Sequence, residues 1–245
     1  MNYITVDNYN NEKSVNFYTY PLGKCCISDC LRKNIIWETQ LHTIFEKYIN
    51  KDSIVIEGGC HIGSHTLKLS YLCKHLYGFE PMPSSHKLLT DNLKLNNISN
   101  VTIFEKGLSN TQDNLNYQWI CENNPGGSGL VNNLYGDLPD IRNNINDEII
   151  NVDLITIDSL NLNKLDFIKL DIEGYEKFAI EGGINTINKY KPIITLELFK
   201  SHNGDFDINY TKEVFKMLLD IGYSVYQISG PDFLFIPYSR GCNGV

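Results

Sequence analysis

An acidic residue and two glycines follow an apolar run at Ile54–Ile56, and residues of these types can bind a ligand there. Glu57 is followed by Gly59 and Gly63. Glycines leave the backbone open to a ligand, and a helix that begins near Ile62 would point its free N–H groups at a polar or anionic group. The spacing differs from the Gly-x-Gly-x-x-Gly fingerprint that cradles a pyrophosphate. The pattern therefore predicts a site for a nucleotide-type ligand without phosphates.

A second carboxylate, Glu80, directly follows the apolar run Leu76–Phe79. A carboxylate can accept two hydrogen bonds from a vicinal diol such as that of a ribose. S-adenosylmethionine (SAM) satisfies both features, with its methionine arm over Gly59–Gly63 and its ribose on Glu80. The glycine motif alone also allows an ordinary strand, turn and helix without a ligand, and Glu80 makes that alternative less favoured.

The densest group of carboxylates lies in the segment from Asp166 to Glu176. Asp171 and Glu173 are two residues apart, so they share a face in extended backbone, and Gly174 permits a sharp turn after them. Both side chains should face the ligand crevice. Glu176 falls in the first turn of the next helix, where a negative charge suits the helix dipole, and we favour that role over a catalytic one.

Glu197 and His202 come to the same edge, because they follow the next predicted strand. Together with Asp171 they form either an oxygen and nitrogen ligand set for a divalent ion or an acid–base group that works without metal. The alternatives are a solvated loop histidine at His202 and a capping carboxylate at Glu197.

Apolar runs alternate with helix-period segments, which predicts a parallel sheet covered by helices in one α/β domain. The predicted strands are Ile54–Ile56, Leu76–Phe79, Val101–Phe104, Phe167–Leu170, Ile193–Leu198 and a closing hairpin of Ser224–Ile228 with Phe233–Ile236. The predicted helices are Thr39–Ile49, Gly63–Lys74, one capped by Ser84 or Ser85, Tyr175–Tyr190 and Tyr210–Ile221.

Two segments fall outside this repeat. Residues 1–35 hold short alternating strands such as Val15–Tyr20 and predict an N-terminal β extension or flap before the main domain, 36–245. Residues 111–150 are rich in Asn and Gly, and Pro125–Gly129 within them could be a lid over the active site. A disordered insertion is the equally weighted alternative.

Composition limits the classes of partner. The 245 residues carry a net charge of −8, which argues against a general affinity for nucleic acid and favours a compact polar small-molecule substrate. No run of about 18 apolar residues and no basic-then-apolar leader is present, so we expect a cytoplasmic protein that does not cross a membrane. The seven cysteines form no Cys-x-x-Cys pair and predict neither a disulfide framework nor a zinc site. The oligomeric state is not predicted.

Several blocks, in this order between about Ile27 and Phe199, resemble the FkbM-type SAM-dependent O-methyltransferases. The blocks are Trp37-Glu38, Val55–Thr66, Gly78–Pro81 with Ser84, Asn92–Asn96, Lys106–Ser109, Thr156–Leu160, Ile168–Glu176 and Lys191–Glu197. The resemblance implies a class I SAM-dependent methyltransferase (Rossmann-like) fold, with a mostly parallel seven-stranded sheet whose last strand is antiparallel. It also implies methyl transfer to a hydroxyl, often on a sugar or polyketide. The chain departs from the family pattern at Glu57 (usually Asp), His61 (usually Asn) and Gly107 (usually Ala).

The resemblance implies roles for particular residues. The methionine end of SAM would be held by Glu57, Gly58, Gly59, Cys60, His61, Ile62, Gly63 and Thr66, and its amino group also by Glu38. Glu80 and Pro81 would hold the ribose, Lys106, Gly107 and Leu108 the adenine edge, and Asp171 would border the cofactor. Related sugar O-methyltransferases that use magnesium place carboxylates near Asp171 and Glu197, which makes a Mg²⁺ site a further hypothesis.

The predicted reaction is an in-line displacement at the methyl group of SAM, with Glu173 or His202 as the base for an acceptor hydroxyl. Asp171 would orient that hydroxyl or bind the ion, and Asp171, Glu173, Glu197 and His202 are thus the candidate catalytic residues. Two rival functions stay open. One is an RNA ribose 2′-O-methyltransferase, which would need a basic groove, and the other is a non-catalytic SAM-binding module.

Overall fold

The computed structural model describes residues 3–10, 13–118, 125–128, 149–198 and 208–240. The strands are β1 (Ile4–Asn10), β2 (Lys13–Phe17), β3 (Ile54–Gly58), β4 (His75–Phe79), β5 (Val101–Phe104), β6 (Gly107–Leu108), β7 (Asn114–Gln118), β8 (Ile149–Ile155), β9 (Phe167–Leu170), β10 (Ile193–Glu197), β11 (Tyr223–Ser229) and β12 (Asp232–Pro237). The α-helices are α1 (Cys26–Arg32), α2 (Thr39–Tyr48), α3 (Thr66–Leu72), α4 (Pro83–Leu95), α5 (Glu176–Glu181), α6 (Ile184–Tyr190) and α7 (Ile208–Asp220).

Seven strands form the central sheet in the order β11-β12-β10-β9-β3-β4-β5. Neighbours from β10 to β5 pair in parallel, whereas β12, the last strand in the chain, is antiparallel to both β10 and β11. This confirms the predicted class I architecture and its antiparallel last strand. The carboxyl ends of β3, β4, β9 and β10 therefore meet at one edge, where open parallel sheets bind ligands.

Alternation along the strands divides the core between the two faces of the sheet. On one face Ile56, Ile168 and Ile194 pack with Val214 and Leu218 of α7. The opposite-face cluster contains apolar residues of the strands and of the covering helices, namely Val55, Phe167, Ile193, Phe45 of α2 and Leu69 of α3. A shift of one residue in any strand would exchange the two faces, so the apolar pattern sets the register that also positions the polar residues.

The N-terminal strands β1 and β2 form an antiparallel pair outside the central sheet. Asn92 of α4 and Asn96, which directly follows α4, hydrogen-bond to backbone groups at the edge of this pair, as a neighbouring strand would. The Asn96 side chain accepts from the Asn16 N–H and donates to the Asn16 carbonyl, and Asn92 does the same with Tyr18. Asn92 also donates to the carbonyl of Ile62 at 2.8 Å. One buried amide thus joins the extension to the glycine turn.

Several predicted element boundaries were wrong. The helix predicted at Gly63–Lys74 is α3, and it begins at Thr66 and not near Ile62 or Gly63. His61 and Gly63 adopt positive φ angles of 49° and 94°, which a helix cannot include. Neither Ser84 nor Ser85 caps α4, since the helix starts at Pro83, whose fixed φ suits a first helical position.

The segment Tyr175–Tyr190 is two helices and not one. α5 ends before Gly182, and a Cβ at Gly182 would lie 2.0 Å from the carbonyl oxygen of Ser109. The predicted strand Val15–Tyr20 ends at Phe17.

The insertion 111–150 includes more regular structure than expected. β7 lies within it and pairs antiparallel with β8, which begins at Ile149, and β8 also pairs in parallel with β6. Residues 119–124 and 129–148 lie outside the described residues. The division into 1–35 and 36–245 and the lid itself stay predictions.

We expect Asn92→Ala to lower the free energy of unfolding by about 2–4 kcal/mol, because it leaves buried backbone groups of Tyr18 and Ile62 without their partner. Urea denaturation monitored by circular dichroism measures this. Lys87→Ala, on the exposed side of the same helix, is the control and should change stability by less than about 0.5 kcal/mol. Equal effects of the two substitutions would contradict the role of Asn92 in joining the N-terminal extension to the glycine turn.

Candidate active site

A cleft of about 760 Å³, including its open mouth, lies at the carboxyl ends of β3, β4 and β9. Its lining is mixed polar and apolar, as is typical of a small-molecule site. Its walls include predicted site residues from four separate blocks of the sequence, and these are Gly59, His61, Glu80, Pro81, Lys106, Gly107, Leu108, Asp171 and Glu173. The fold thus brings together residues that are more than a hundred positions apart.

Glu80 lies at the floor of this cleft and is held by backbone N–H groups. Its Oε2 accepts from His61 N at 2.6 Å, and its Oε1 accepts from Met82 N at 2.9 Å. Each carboxylate oxygen has a second lone pair for a ligand. Burial raises the pKa of Glu80 to about 7, although the two N–H groups favour its charged form.

Gly59 brings the backbone of the first turn against the β9 strand end. A Cβ at Gly59 would lie 1.7 Å from the carbonyl oxygen of Asp171, and its φ of +77° is one that glycine adopts readily. Glycine is therefore required at this position mainly for packing, because a side chain here would push apart the turns that follow β3 and β9.

Buried ionisable groups form a row across the middle of the sheet. The Cα of Glu57 pairs with that of Lys169, which in turn pairs with Thr195, on β3, β9 and β10. Glu57 is fully buried and Lys169 is 2% exposed. Burial opposes the charge of Lys169, but the carboxylates of Asp171, Glu57 and Glu38 raise its pKa.

Lys169 donates to Asp171 Oδ2 at 3.0 Å. Burial works to raise the pKa of Asp171, yet the Lys169 ammonium and a hydrogen bond with Glu197 hold it low. The pKa of Glu197 is raised by burial and by the neighbouring Asp171 charge. The two carboxyl groups therefore hydrogen-bond each other, and their surroundings favour ionisation of Asp171 and oppose ionisation of Glu197.

Glu57 has no hydrogen-bond partner for either carboxylate oxygen within the described residues. Burial raises its pKa, and the Lys169 and His65 charges oppose that rise. An unpartnered buried carboxylate is costly, so this residue points to a missing donor such as a water molecule or a ligand ammonium.

The turn Asp171–Gly174 is locked from below by Glu176 and Tyr210. Glu176 Oε1 accepts from the N–H of Ile172 at 2.9 Å and of Gly174 at 3.4 Å, while the Tyr210 hydroxyl lies 3.1 Å from Glu176 Oε2. Glu173, within this turn, has a φ of +53°, which costs energy for a residue with a side chain. Glu176 thus holds the turn and is more than the helix-terminal charge that we expected.

Glu173 lines the cleft beside Asp171. Burial, with the charges of Asp171 and Glu176, raises the pKa of Glu173 to about 8. A carboxyl group with such a pKa exchanges a proton near neutral pH, as a general base must.

A second, smaller cavity adjoins the cleft across Lys169 and Asp171, which line both. We call it the acidic chamber, and its lining is Glu38, Leu41, Lys169, Leu170, Asp171, Thr195, Leu196, Glu197 and Asp232. Burial and the Glu38 charge raise the pKa of Asp232 to about 6. Glu197 and Glu38, both predicted site residues, thus lie in the chamber and not on the cleft wall. His65 Nε2 lies within hydrogen-bond distance, 2.9 Å, of the Glu38 carboxylate oxygen Oε2.

Other predicted cofactor residues shape the turn without lining the cleft. They are Gly58, Cys60, Ile62, Gly63 and Thr66, and their side chains or Cα atoms pack into the interior. Cys60 Sγ, for example, bonds the carbonyl of Glu57 at 3.4 Å. His202 lies outside the described residues, so its place at this edge stays a prediction.

Several residues of the site escaped sequence reasoning. Lys169 interrupts an apolar strand, and that interruption was the available signal. His65 and Tyr20 gave none, because their positions depend on chain segments far away in sequence. Tyr20 stacks on the His61 ring, with centroids 5.7 Å apart, and its hydroxyl bonds both Ser84 and Ser85.

Residues 125–128 of the insertion reach the cleft. Pro125, Gly126 and Ser128 line it, and a Cβ at Gly126 would lie 3.5 Å from the His61 ring. Burial lowers the pKa of His61 to about 4, so its ring is neutral at physiological pH. These residues thus border the cleft, the lid stays a prediction, and Gly129 lies outside the described residues.

Within the described residues, no group of three or more His, Cys, Asp or Glu side chains is arranged to hold a metal ion. The predicted ligands Asp171 and Glu197 are instead engaged with each other and with the Lys169 ammonium. In the same ranges, no helix is long and apolar enough to cross a bilayer.

The sheet order and the glycine turn beside Glu80 define a class I methyltransferase fold. Among solved structures, the methyltransferase FkbM from Methylobacillus flagellatus KT is similar with 16% identity and a TM-score of 0.51, covering 76% of this chain and 43% of that one. This chain thus spans less than half the length of that protein. A protein from Clostridium thermocellum proposed to be an rRNA methylase has 13% identity and a TM-score of 0.51, covering 80% and 92%.

A methyltransferase family model supplies the identification. The "Methyltransferase FkbM domain" matches residues 57–225, and the chain belongs to this family. Membership shows a methyltransferase and implies SAM as the methyl donor. No curated protein matches the sequence.

We expect Tyr210→Phe to loosen the turn that carries Asp171 and Glu173, because it removes the hydroxyl that bonds Gly174 and Glu176. Stability should fall by about 1 kcal/mol. Hydrogen exchange of the Ile172 and Gly174 amides should accelerate. Tyr190→Phe is the matched control, since it removes one hydroxyl bonded to Leu162 at 2.7 Å, away from the site. Equal exchange rates of these two amides in Tyr210→Phe and Tyr190→Phe would contradict the role of Tyr210 in holding the turn.

Proposed function

We propose that the protein is a SAM-dependent O-methyltransferase that acts on a hydroxyl of a small polar acceptor, most simply a sugar or glycan. The observation that carries the proposal is the placement of Asp171 and Glu173 on the wall of the same cleft as Glu80. A base for the acceptor and a carboxylate for the cofactor ribose thereby share one cavity.

In this proposal SAM supplies an activated methyl group on a positively charged sulfur. Glu80 accepts hydrogen bonds from the ribose hydroxyls, while the adenine lies against Pro81 and Lys106–Leu108. The methionine arm crosses Gly59, where backbone without a side chain faces the cleft. Its ammonium group reaches Glu57 directly or through water and supplies the charged hydrogen-bond donor that this carboxylate lacks.

Glu173 is the proposed base. A sugar hydroxyl has a pKa far above 7 and is a weak nucleophile until its proton is removed in the transition state. As the acceptor oxygen attacks, the O–CH₃ bond forms, the S–CH₃ bond breaks and the hydroxyl proton passes to Glu173. The products are the methyl ether and neutral S-adenosylhomocysteine (SAH).

Asp171 orients the acceptor hydroxyl, and Lys169 keeps Asp171 ionised. Holding the oxygen in line with the sulfur and methyl group accounts for much of the rate gain in such a reaction. His202 remains the alternative base.

The proposed step uses side chains alone. Lys169, 3.0 Å from Asp171, already provides a cation for the carboxylate that a Mg²⁺ ion would use. The carboxyl groups around Asp171 also disfavour the phosphate backbone of RNA as the acceptor. The protein is proposed to act in the cytoplasm.

Binding of SAH should strengthen as pH rises through about 7. The ionised form of Glu80 accepts from the two ribose hydroxyls, and this form is lost when the pH falls below its pKa. Affinity at pH 6 should be about tenfold weaker than at pH 8. Isothermal titration calorimetry with SAH measures it. Glu80→Gln should bind weakly with little pH dependence, and a wild-type affinity that is constant from pH 6 to 8 would contradict the assignment.

The decisive experiment is calorimetric titration with SAM and SAH, followed by methyl-transfer assays on a panel of nucleotide sugars and glycans. We expect Asp171→Asn to reduce turnover by at least about a hundredfold while SAH affinity stays within a few-fold. Asp220→Asn, on the exposed end of α7, should match the wild type. Absence of SAM and SAH binding would sink the proposed function, and parallel loss of SAH affinity in Asp171→Asn would reassign that residue to the cofactor.

A further inference from the structure

The acidic chamber holds more negative charge than its own residues balance. Glu38, Asp171, Glu197 and Asp232 contribute four carboxyl groups, and Lys169 is the only cation among the residues that line it in the described part of the chain. Even with Glu197 uncharged, the lining keeps an excess of carboxylate. A positively charged ligand would remove this imbalance.

Hydrogen-bond donors are equally scarce there. Within the described residues His65 reaches Glu38 at 2.9 Å, Lys169 reaches Asp171 at 3.0 Å, and Ser229 reaches Asp232 at 3.3 Å. Asp171 and Glu197 also hydrogen-bond each other, and a ligand with several donors would supply further hydrogen bonds to these carboxyl groups.

Thr195 provides an independent sign of a ligand. It is 3% exposed, it lines the chamber, and its Oγ1 has no hydrogen-bond partner among the described residues. A buried hydroxyl without a partner costs free energy, and in a polar cavity it points to a group that arrives from outside.

The chamber lies where the acceptor must enter. It meets the cleft at Asp171, the residue proposed to orient the attacking hydroxyl, and it opens at the ends of β9 and β10. A ligand in the chamber therefore places neighbouring atoms beside Asp171.

We propose that the acidic chamber is an acceptor subsite for an ammonium group, and that the acceptor is an amino alcohol, such as an amino sugar, whose hydroxyl lies next to a protonated amine. This inference rests on the proposed function for the role of the hydroxyl. The ammonium donates up to three hydrogen bonds, to carboxylates of the chamber and to Thr195 Oγ1. A neutral polyol would leave the excess charge in place, and an anion would add to it.

The test uses small probes of which only one end group has to enter the chamber, so it does not need the natural acceptor. Protein labelled with ¹³C-methyl threonine is saturated with SAH at pH 7.5, and the Thr195 methyl signal is assigned by its loss in Thr195→Val. Ethanolamine, which is an ammonium ion at this pH, is compared with 1,2-ethanediol and glycolate, which have a similar size but are neutral and anionic.

We expect ethanolamine to shift the Thr195 signal saturably with a Kd of about 1–10 mM, and the other two probes to leave it unchanged. Asp232→Asn should weaken this binding about fivefold or more, because it removes one chamber carboxylate. Asp220→Asn is the matched control and should bind as the wild type does. Thermal unfolding confirms that both variants are folded.

Three results would overturn the proposal: no shift with ethanolamine, an equal shift with 1,2-ethanediol, or displacement of ethanolamine by millimolar Mg²⁺ at the same signal. The last would assign the chamber to a metal ion. Failure of the proposed function is read separately, from the SAH titration. If SAH does not bind, the ethanolamine comparison on the free protein still decides whether the chamber takes an ammonium group.

Discussion

A lysine ammonium buried in the central sheet is the constraint on which the site depends. Removing a charge from water is costly, and Lys169 is tolerated because Glu57, Glu38 and Asp171 surround it. The reverse also holds, since Asp171 stays ionised because Lys169 is beside it. Replacing Lys169 would leave these carboxylates as uncompensated buried charges. The cluster must therefore be assembled as a unit, and it connects the cofactor cleft to the acidic chamber.

The predictable part of the fold was the part that local pattern determines. Runs of β-branched and other apolar residues located the strands of the central sheet. Helix starts were less accurate because a backbone choice at one residue decides them, as the positive φ of His61 does before α3. The break between α5 and α6 depends on contact between Gly182 and Ser109, which no local pattern reveals.

The site residues were likewise predictable only where the local sequence pattern determines their position. Glu57 and Glu80 end apolar runs, so their place at the sheet edge follows from the strands themselves. Thr195 and Asp232 are unremarkable in sequence, and they become part of a cavity only through the pairing of β10 with β9 and β12. Glu176 was recognised as a charge at a helix start, but its bonds to Ile172 and Gly174 arise from a turn whose shape was not predictable.

Because Asn92 bonds both the N-terminal extension and the glycine turn, it couples these two parts of the molecule. Its single amide holds Tyr18 after the N-terminal strands and Ile62 within the glycine turn. A ligand that steadies the glycine turn must then also steady the N-terminal extension. Thermodynamic linkage makes the coupling reciprocal, so undocking the extension weakens the ligand by the same factor by which the ligand strengthens docking. The extension thus belongs to the binding equilibrium of the cleft.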